Sequence, residues 1–284
     1  MFHVEHSATS YISMGKIIAI CNQKGGTGKT TSSINISAYL ALAQKKVLLV
    51  DLDPQANATS GIGLNRYDIK KSTYHILLEE LEPKEIIQAT AIPNLFIAPS
   101  NLDLTGAEVE LVGALGREYR LKRALQKEKD NFDFIIIDSP PSLGLLTINA
   151  LCAADSIIVP VQCEFYALEG LSQLTKTVQL IKDNLNPSLE IEGVLLTMAD
   201  FRTNLTKEVI QEVRNFFKDK VYNTIIPRNI RLTEAPSYGK PIALYDSNSL
   251  GAQKYEELAR EIIGINPSEA RLDNTQEQLT TEHP

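Results

Sequence analysis

The stretch Ile17-Ile18-Ala19-Ile20-Cys21-Asn22-Gln23-Lys24-Gly25-Gly26-Thr27-Gly28-Lys29-Thr30-Thr31 runs from a short apolar segment, through three glycines, into a helical pattern. It reads as a buried strand, a glycine-rich turn and a helix start. Glycine accepts positive φ and close backbone approach, so Gly25, Gly26 and Gly28 let the turn wrap an anion. Successive N–H groups, among them those of Lys24, Gly25, Gly26, Thr27, Gly28, Lys29, Thr30 and Thr31, then face phosphate oxygens, with the positive end of the helix behind them. Lys29 supplies a cation for the β- and γ-phosphates, and the Thr30 hydroxyl is placed to ligate Mg²⁺. A phosphate chain with Mg²⁺ is the ligand this chemistry predicts.

Outward from that stretch, short apolar runs alternate with amphipathic segments. Strands are predicted at 17–21, 47–50, 95–98, 134–137, 156–161 and 191–197. Helices are predicted at 30–43, 103–112, 117–129, 165–184, 204–217 and 250–263. Val/Ile/Leu runs without in/out alternation belong to strands buried on both faces. Their alternation with helices predicts an α/β fold, a doubly wound, mostly parallel sheet. Ligands in such sheets sit beyond the carboxyl ends of the strands.

Two further strand ends carry acid. Val47–Val50 delivers Asp51-Leu52-Asp53-Pro54-Gln55, and Phe134–Ile137 delivers Asp138-Ser139-Pro140-Pro141-Ser142. A carboxylate there is costly unless it faces a cation or water. Asp138 has the placement by which phosphate-loop ATPases hold Mg²⁺. Asp51 has a second reading, as a helix or turn cap. Segment 66–90 reads as charged and helical, with Glu79, Glu80, Glu82 and Glu85 on a solvated face.

The net charge of −7 excludes a generally basic nucleic-acid coat, so DNA binding would need a local patch. Residues 202–240 provide one, with eight Lys and Arg against four Asp and Glu. Cys21, Cys152 and Cys163 lack C-x-x-C spacing and read as buried, reduced and structural. No apolar run is long enough to span a bilayer, and the expected compartment is the cytoplasm.

Lys24-Gly25-Gly26-Thr27-Gly28-Lys29-Thr30-Thr31 has Gln23 where the usual phosphate loop has its first glycine, and adds a second lysine, Lys24. This loop resembles that of the ParA/MinD group of ATPases. Pro140-Pro141-Ser142-Leu143-Gly144 has the wording of its ParA/Soj branch. The resemblance covers residues 14–266, with 1–13 and the acidic 267–284 expected to be disordered extensions. It implies an ATP-bound homodimer in which Lys24 reaches the partner's phosphates and Asp53 positions the attacking water. It further implies adenine contacts at Pro227 and Asn229, and non-specific double-stranded DNA binding by Arg202 and Arg231. The expected partners are the nucleoid and a ParB protein bound at parS, with no membrane. Gln162–Gly170 is either a dimer face or simply a loop entering a helix. The rivals are a MinD-like positioning ATPase, a metabolic phosphate-loop enzyme and an iron–sulfur carrier. The acidic tail opposes the first, no carboxylate-substrate pocket is identifiable for the second, and the absent C-x-x-C opposes the third.

Residues 1–13 lack periodicity, and His3 and His6 there read as solvated. Met1-Phe2-His3-Val4-Glu5-His6 can be encoded by ATG TTC CAC GTG GAA CAC. That string contains the parS-like palindrome TGTTCCACGTGGAACA, so the segment reads as a translated parS site with Met14 as the working start. Sequencing the gene tests this: the palindrome is expected intact, and codons that break it remove the idea.

Overall fold

The computed structural model describes residues 15–164 and 167–264; the two expected extensions, 1–13 and 267–284, lie outside them. Seven strands form one sheet: β1 (Lys16–Ile20), β2 (Val47–Asp51), β3 (Gln88–Ala89), β4 (Leu95–Ala98), β5 (Phe134–Asp138), β6 (Ser156–Gln162) and β7 (Glu190–Thr197). Their order is β3-β4-β2-β5-β1-β6-β7, and every pairing except β3 with β4 is parallel. The predicted α/β, doubly wound fold is the one observed. From β1 the chain winds to one edge, returns at β5, and then builds the other side. The phosphate-loop candidate therefore leaves the sheet beside the point where winding reverses.

The strands are apolar on both faces because each serves two cores. Ile17, Leu48, Val50, Ile135 and Ile137 face one layer, while Ile18, Leu49, Ile136 and Ile158 face the other. The first layer is closed by α3 (Thr73–Leu78), α4 (Leu104–Glu110), α5 (Arg120–Gln126), α6 (Leu145–Ala153), α7 (Ala167–Asn184) and α8 (Asn204–Phe217). The second is closed by α1 (Lys29–Leu42), α2 (Asn57–Gly61), α9 (Ile230–Glu234), α10 (Ile242–Tyr245) and α11 (Leu250–Ile263). Helix α1 is buried along most of its length, and Ser32 and Asn35 on it bond inward. Ser32 Oγ lies 3.0 Å from the Tyr255 hydroxyl, and Asn35 Oδ1 accepts from the Ile242 N–H at 2.8 Å.

Several predicted elements change. Of segment 66–90 only Thr73–Leu78 is α-helical, and its acids are not merely solvated. Glu80 pairs with Arg120, Glu82 with Lys127 and Glu85 with Lys71. The 117–129 helix divides into a 3₁₀ turn, Arg117–Tyr119, and α5, because Asn149 ties both pieces to α6. Short helices α2, α9 and α10 have too few residues for a period to register, and α6 reads as uniformly apolar. All three cysteines are free and buried, and burial pushes each thiol up to about 11. Among the described residues no helix is long and apolar enough to cross a membrane.

Gly193 on β7 lies flat against the buried Tyr222 ring, where an added Cβ would come within 2.3 Å of Cε2. Gly193→Ala should therefore destabilise the fold by about 1–3 kcal/mol through overpacking, read as a lower urea midpoint at unchanged slope.

Candidate functional site

Between β1 and α1 the chain turns through Asn22–Gly28. Gly26 and Gly28 have φ of 75° and 88°, in the left-handed region that favours glycine. Gly25 is not among the positive-φ residues, so conformation demands glycine at two of the three positions. A Cβ on Gly25 or Gly26 would meet no protein atom within 4 Å, so the protein itself does not fill that space.

The turn is pinned from β6 and β7. Asn22 Nδ2 donates to the Pro160 carbonyl at 2.7 Å while its Oδ1 accepts from the Lys24 N–H at 3.0 Å. Thr197 Oγ1, at the carboxyl end of β7, donates to the Thr27 carbonyl at 2.9 Å. Lys29 is buried and its Nζ donates to the Lys24 carbonyl at 3.1 Å. Burial lowers its pKa, opposed chiefly by the Asp138 carboxylate and more weakly by Cys21 and Asp53.

Asp138 is fully buried and in register with Asp51 on β2. Its Oδ1 accepts from Ser33 Oγ at 2.8 Å, and its Oδ2 has no hydrogen-bond partner. Burial first, then the Asp51 charge, push its pKa up to about 8 against the hydroxyls of Ser33 and Thr30. Asp51 is pushed up to about 6 by burial, against the donors of Thr59 and Asp53. An orphaned carboxylate oxygen beside a buried lysine and a half-buried threonine fits a divalent cation shared with a phosphate. Thr30 and Asp138 are the residues that would hold it.

Asp51 and Asp53 divide their tasks. Asp51 accepts from the Thr59 N–H and Oγ1, each at 2.7 Å, and from the Asp53 N–H at 3.1 Å, so it organises the loop. Asp53, 7 % exposed, spends one oxygen on the Gln55 N–H at 2.9 Å, while Ser100 Oγ braces its carbonyl at 2.7 Å.

A cavity of about 600 Å³ adjoins the turn, lined by Gly28 and Thr31 on one side and Met198, Pro227, Asn229 and Tyr255 on the other. That volume suits a nucleoside. Pro227 is held by a parallel bridge to Ala199, and Asn229 Oδ1 caps α9 through the Arg231 N–H at 2.8 Å. The structure thus gathers Lys24, Lys29, Thr30, Thr31, Asp53, Asp138, Pro227 and Asn229 around one end of the sheet.

The two arginines are outside this group and each is ion-paired. Arg202 grips Asp200 with Nε at 2.8 Å and Nη2 at 2.6 Å, and the Asp200 carboxyl is held down to about 2 by that hydrogen bonding. Arg231 contacts Glu234 at 3.0 Å and Asp246 at 3.3 Å. Lys24 is half-exposed and paired with Glu164 at 3.2 Å. Of Gln162–Gly170, residues 165 and 166 lie outside the described residues.

Ser33, Thr197, Glu164 and Ser100 escaped sequence reasoning. Ser33 stands one helical turn after Lys29, a spacing that could have exposed it; the other three reach the site only through tertiary packing.

A sequence family described as an AAA domain matches residues 15–191. The chain is 61 % identical over 249 residues to the sporulation initiation inhibitor protein Soj of Bacillus subtilis, covering 88 % of this chain and 98 % of that one. It is 53 % identical over 253 residues to the chromosome partitioning protein ParA of Myxococcus xanthus, covering 89 % of each. Among solved structures it resembles cobyrinic acid a,c-diamide synthase from Mycobacterium smegmatis with bound ATP analogue and magnesium. The TM-score there is 0.77 at 38 % identity, over 88 % of this chain and 94 % of that one.

Because the fold raises the pKa values of Asp51 and Asp138, these two carboxyls hold protons in the folded chain that they lose in the unfolded one between about pH 4 and 8. Stability of the metal- and nucleotide-free protein should therefore fall as pH rises through that window. Asp138→Asn should flatten the dependence of the thermal midpoint on pH; an unaltered slope would assign it to other groups.

Proposed function

The chain belongs to the Soj/ParA family of chromosome-partitioning ATPases, and we propose that it is an ATP-switched, DNA-binding dimer acting in partitioning. The likeness to the Bacillus subtilis and Myxococcus xanthus proteins over nearly their whole length carries this reading. The site described above supports its chemistry.

The loop N–H groups and Lys29 bind the phosphates of ATP, and the cavity lined by Pro227 and Asn229 takes the base. When bound, Mg²⁺ would neutralise charge on the phosphates from the side of Thr30 and Asp138. Lys29 spends one of its three ammonium N–H donors on the Lys24 carbonyl, which aims the side chain along the loop and leaves two donors for phosphate oxygens. Asp53 accepts a proton from, or orients, the attacking water from a loop held by Asp51 and Ser100.

Lys24 acts across a homodimer. In the single chain it rests on Glu164, exposed enough to exchange that carboxylate for a partner's phosphate. A cation supplied in trans stabilises the transferring phosphoryl group, as arginine fingers do. Hydrolysis then requires two copies. Dimerisation doubles the surface containing Arg202 and Arg231, which takes duplex DNA by phosphate contact. Their carboxylate partners must yield to phosphate, so this binding is strongly salt-sensitive. ParB bound at parS accelerates hydrolysis and returns the monomer, and the nucleoid is the site of the cycle.

Retention on non-specific duplex DNA tests the reading directly. Retention is expected with a non-hydrolysable ATP analogue and not with ADP, falling with salt by roughly 0.9 in log affinity per log salt for each phosphate neutralised. Lys24→Ala should abolish the ATP-dependent dimer in light scattering while nucleotide still binds. Asp53→Ala should dimerise but hydrolyse at least about a hundredfold more slowly. Arg202→Glu with Arg231→Glu should lose retention and keep the dimer. Retention indifferent to nucleotide would overturn the switch.

A further inference from the structure

At the β7 edge of the sheet, far from the carboxyl-end loops, a groove of about 490 Å³ opens between α8 and the last turn of α11. Arg214, Lys218 and Lys220 line it, all exposed, and among the described residues none lies within ion-pair distance of a carboxylate. The Lys218 backbone holds φ at 51°, a left-handed conformation unusual for lysine. Arg214 serves the negative end of α8, while Lys218 and Lys220 lie past that helix.

The groove's own acids are largely committed elsewhere. Glu192 accepts from Lys16 and Ser156, and Glu261 accepts from the Asn223 N–H at 2.7 Å and the Thr224 N–H at 3.1 Å. Asp219 alone remains among the three cations. Tyr222, 8 % exposed, lines the same groove, and its buried hydroxyl has no hydrogen-bond partner.

We propose that this groove is the docking site for the acidic C-terminal segment of the same chain, residues 265–284. That segment carries Glu269, Asp273, Glu277 and Glu282 against Arg271 alone, complementary to the three cations. It also starts at the groove. Glu261 is a lining residue, and its bonds to Asn223 and Thr224 press the end of α11 against the turn that follows Lys220. Five residues separate Gly264 from Glu269, a reach of up to about 17 Å. A tether this short gives carboxylates a millimolar effective concentration at the groove, so individually weak pairs act together. An external acidic peptide has the same chemistry without that advantage.

The test uses the full chain and an arginine-specific protease, following release of 272–284 by cleavage after Arg271. At low salt, release from the unsubstituted chain should be several-fold slower than from Lys218→Glu/Lys220→Glu. The two rates should converge at about 0.5 M salt, where screening acts within about 4 Å. Lys70→Glu/Lys84→Glu makes the same charge change near the opposite sheet edge and should leave release slow. Equal low-salt release from the unsubstituted chain and Lys218→Glu/Lys220→Glu overturns the proposal. Acceleration by Lys70→Glu/Lys84→Glu to the same extent also overturns it, by assigning the effect to net charge.

Discussion

Two carboxylates and one ammonium are buried together at the carboxyl end of the sheet, and the surrounding structure is arranged around that cost. Asp51 and Asp138 end adjacent strands in register, so neither can retreat into water without breaking the ladder. Desolvation raises both pKa values, joined at Asp138 by the Asp51 charge and at Asp51 by the Asp53 charge, while Lys29 loses hydration beside them. Ser33 and Thr59 supply the hydrogen bonds that make the arrangement tolerable without nucleotide. Asp138 Oδ2 is left over, and a cation is the partner that would remove its penalty.

The same interaction explains why the acidic loop is stiff. Asp51 fixes Thr59, Thr59 Oγ1 accepts from the Ser100 N–H at 2.9 Å, and Ser100 Oγ braces Asp53. Thr73 Oγ1 donates to the Asp51 carbonyl at 2.9 Å, which anchors the start of α3 at the end of β2. Asp53 is thus held by a network reaching from β2 to the segment after β4. The water-positioning role proposed for Asp53 would draw on that bracing, since a displaced base loses its alignment.

Surface cations behave differently from the buried one. Arg202, Arg231 and Lys24 all have carboxylate partners, at exposures where solvent screening leaves an ion pair weak. Such pairs exchange readily for phosphate, a denser anion. Pairing in the isolated chain is therefore compatible with a role on nucleic acid or a second nucleotide, and makes both roles sensitive to salt.

The order strand, glycine turn, lysine, threonine was legible because its meaning is local. Covalent neighbours set the turn, and apolar period and length set β1 and α1. Strand-ending acids at Asp51 and Asp138 were visible for the same reason, as was the parallel α/β architecture. Which acid organises the loop was not legible, because the Thr59 donors that hold Asp51 reach it only once the chain after β2 has turned back. Sequence spacing likewise could not foresee Glu164 on Lys24, Asp200 on Arg202 or Thr197 on Thr27. The Lys24 and Thr27 contacts join residues 140 and 170 positions apart, and the Arg202 pair depends on how one surface loop turns. Composition and period determined the elements and the chemistry of their ends. Only tertiary packing decided strand register, burial and hence protonation, because those depend on desolvation by residues that meet in the fold.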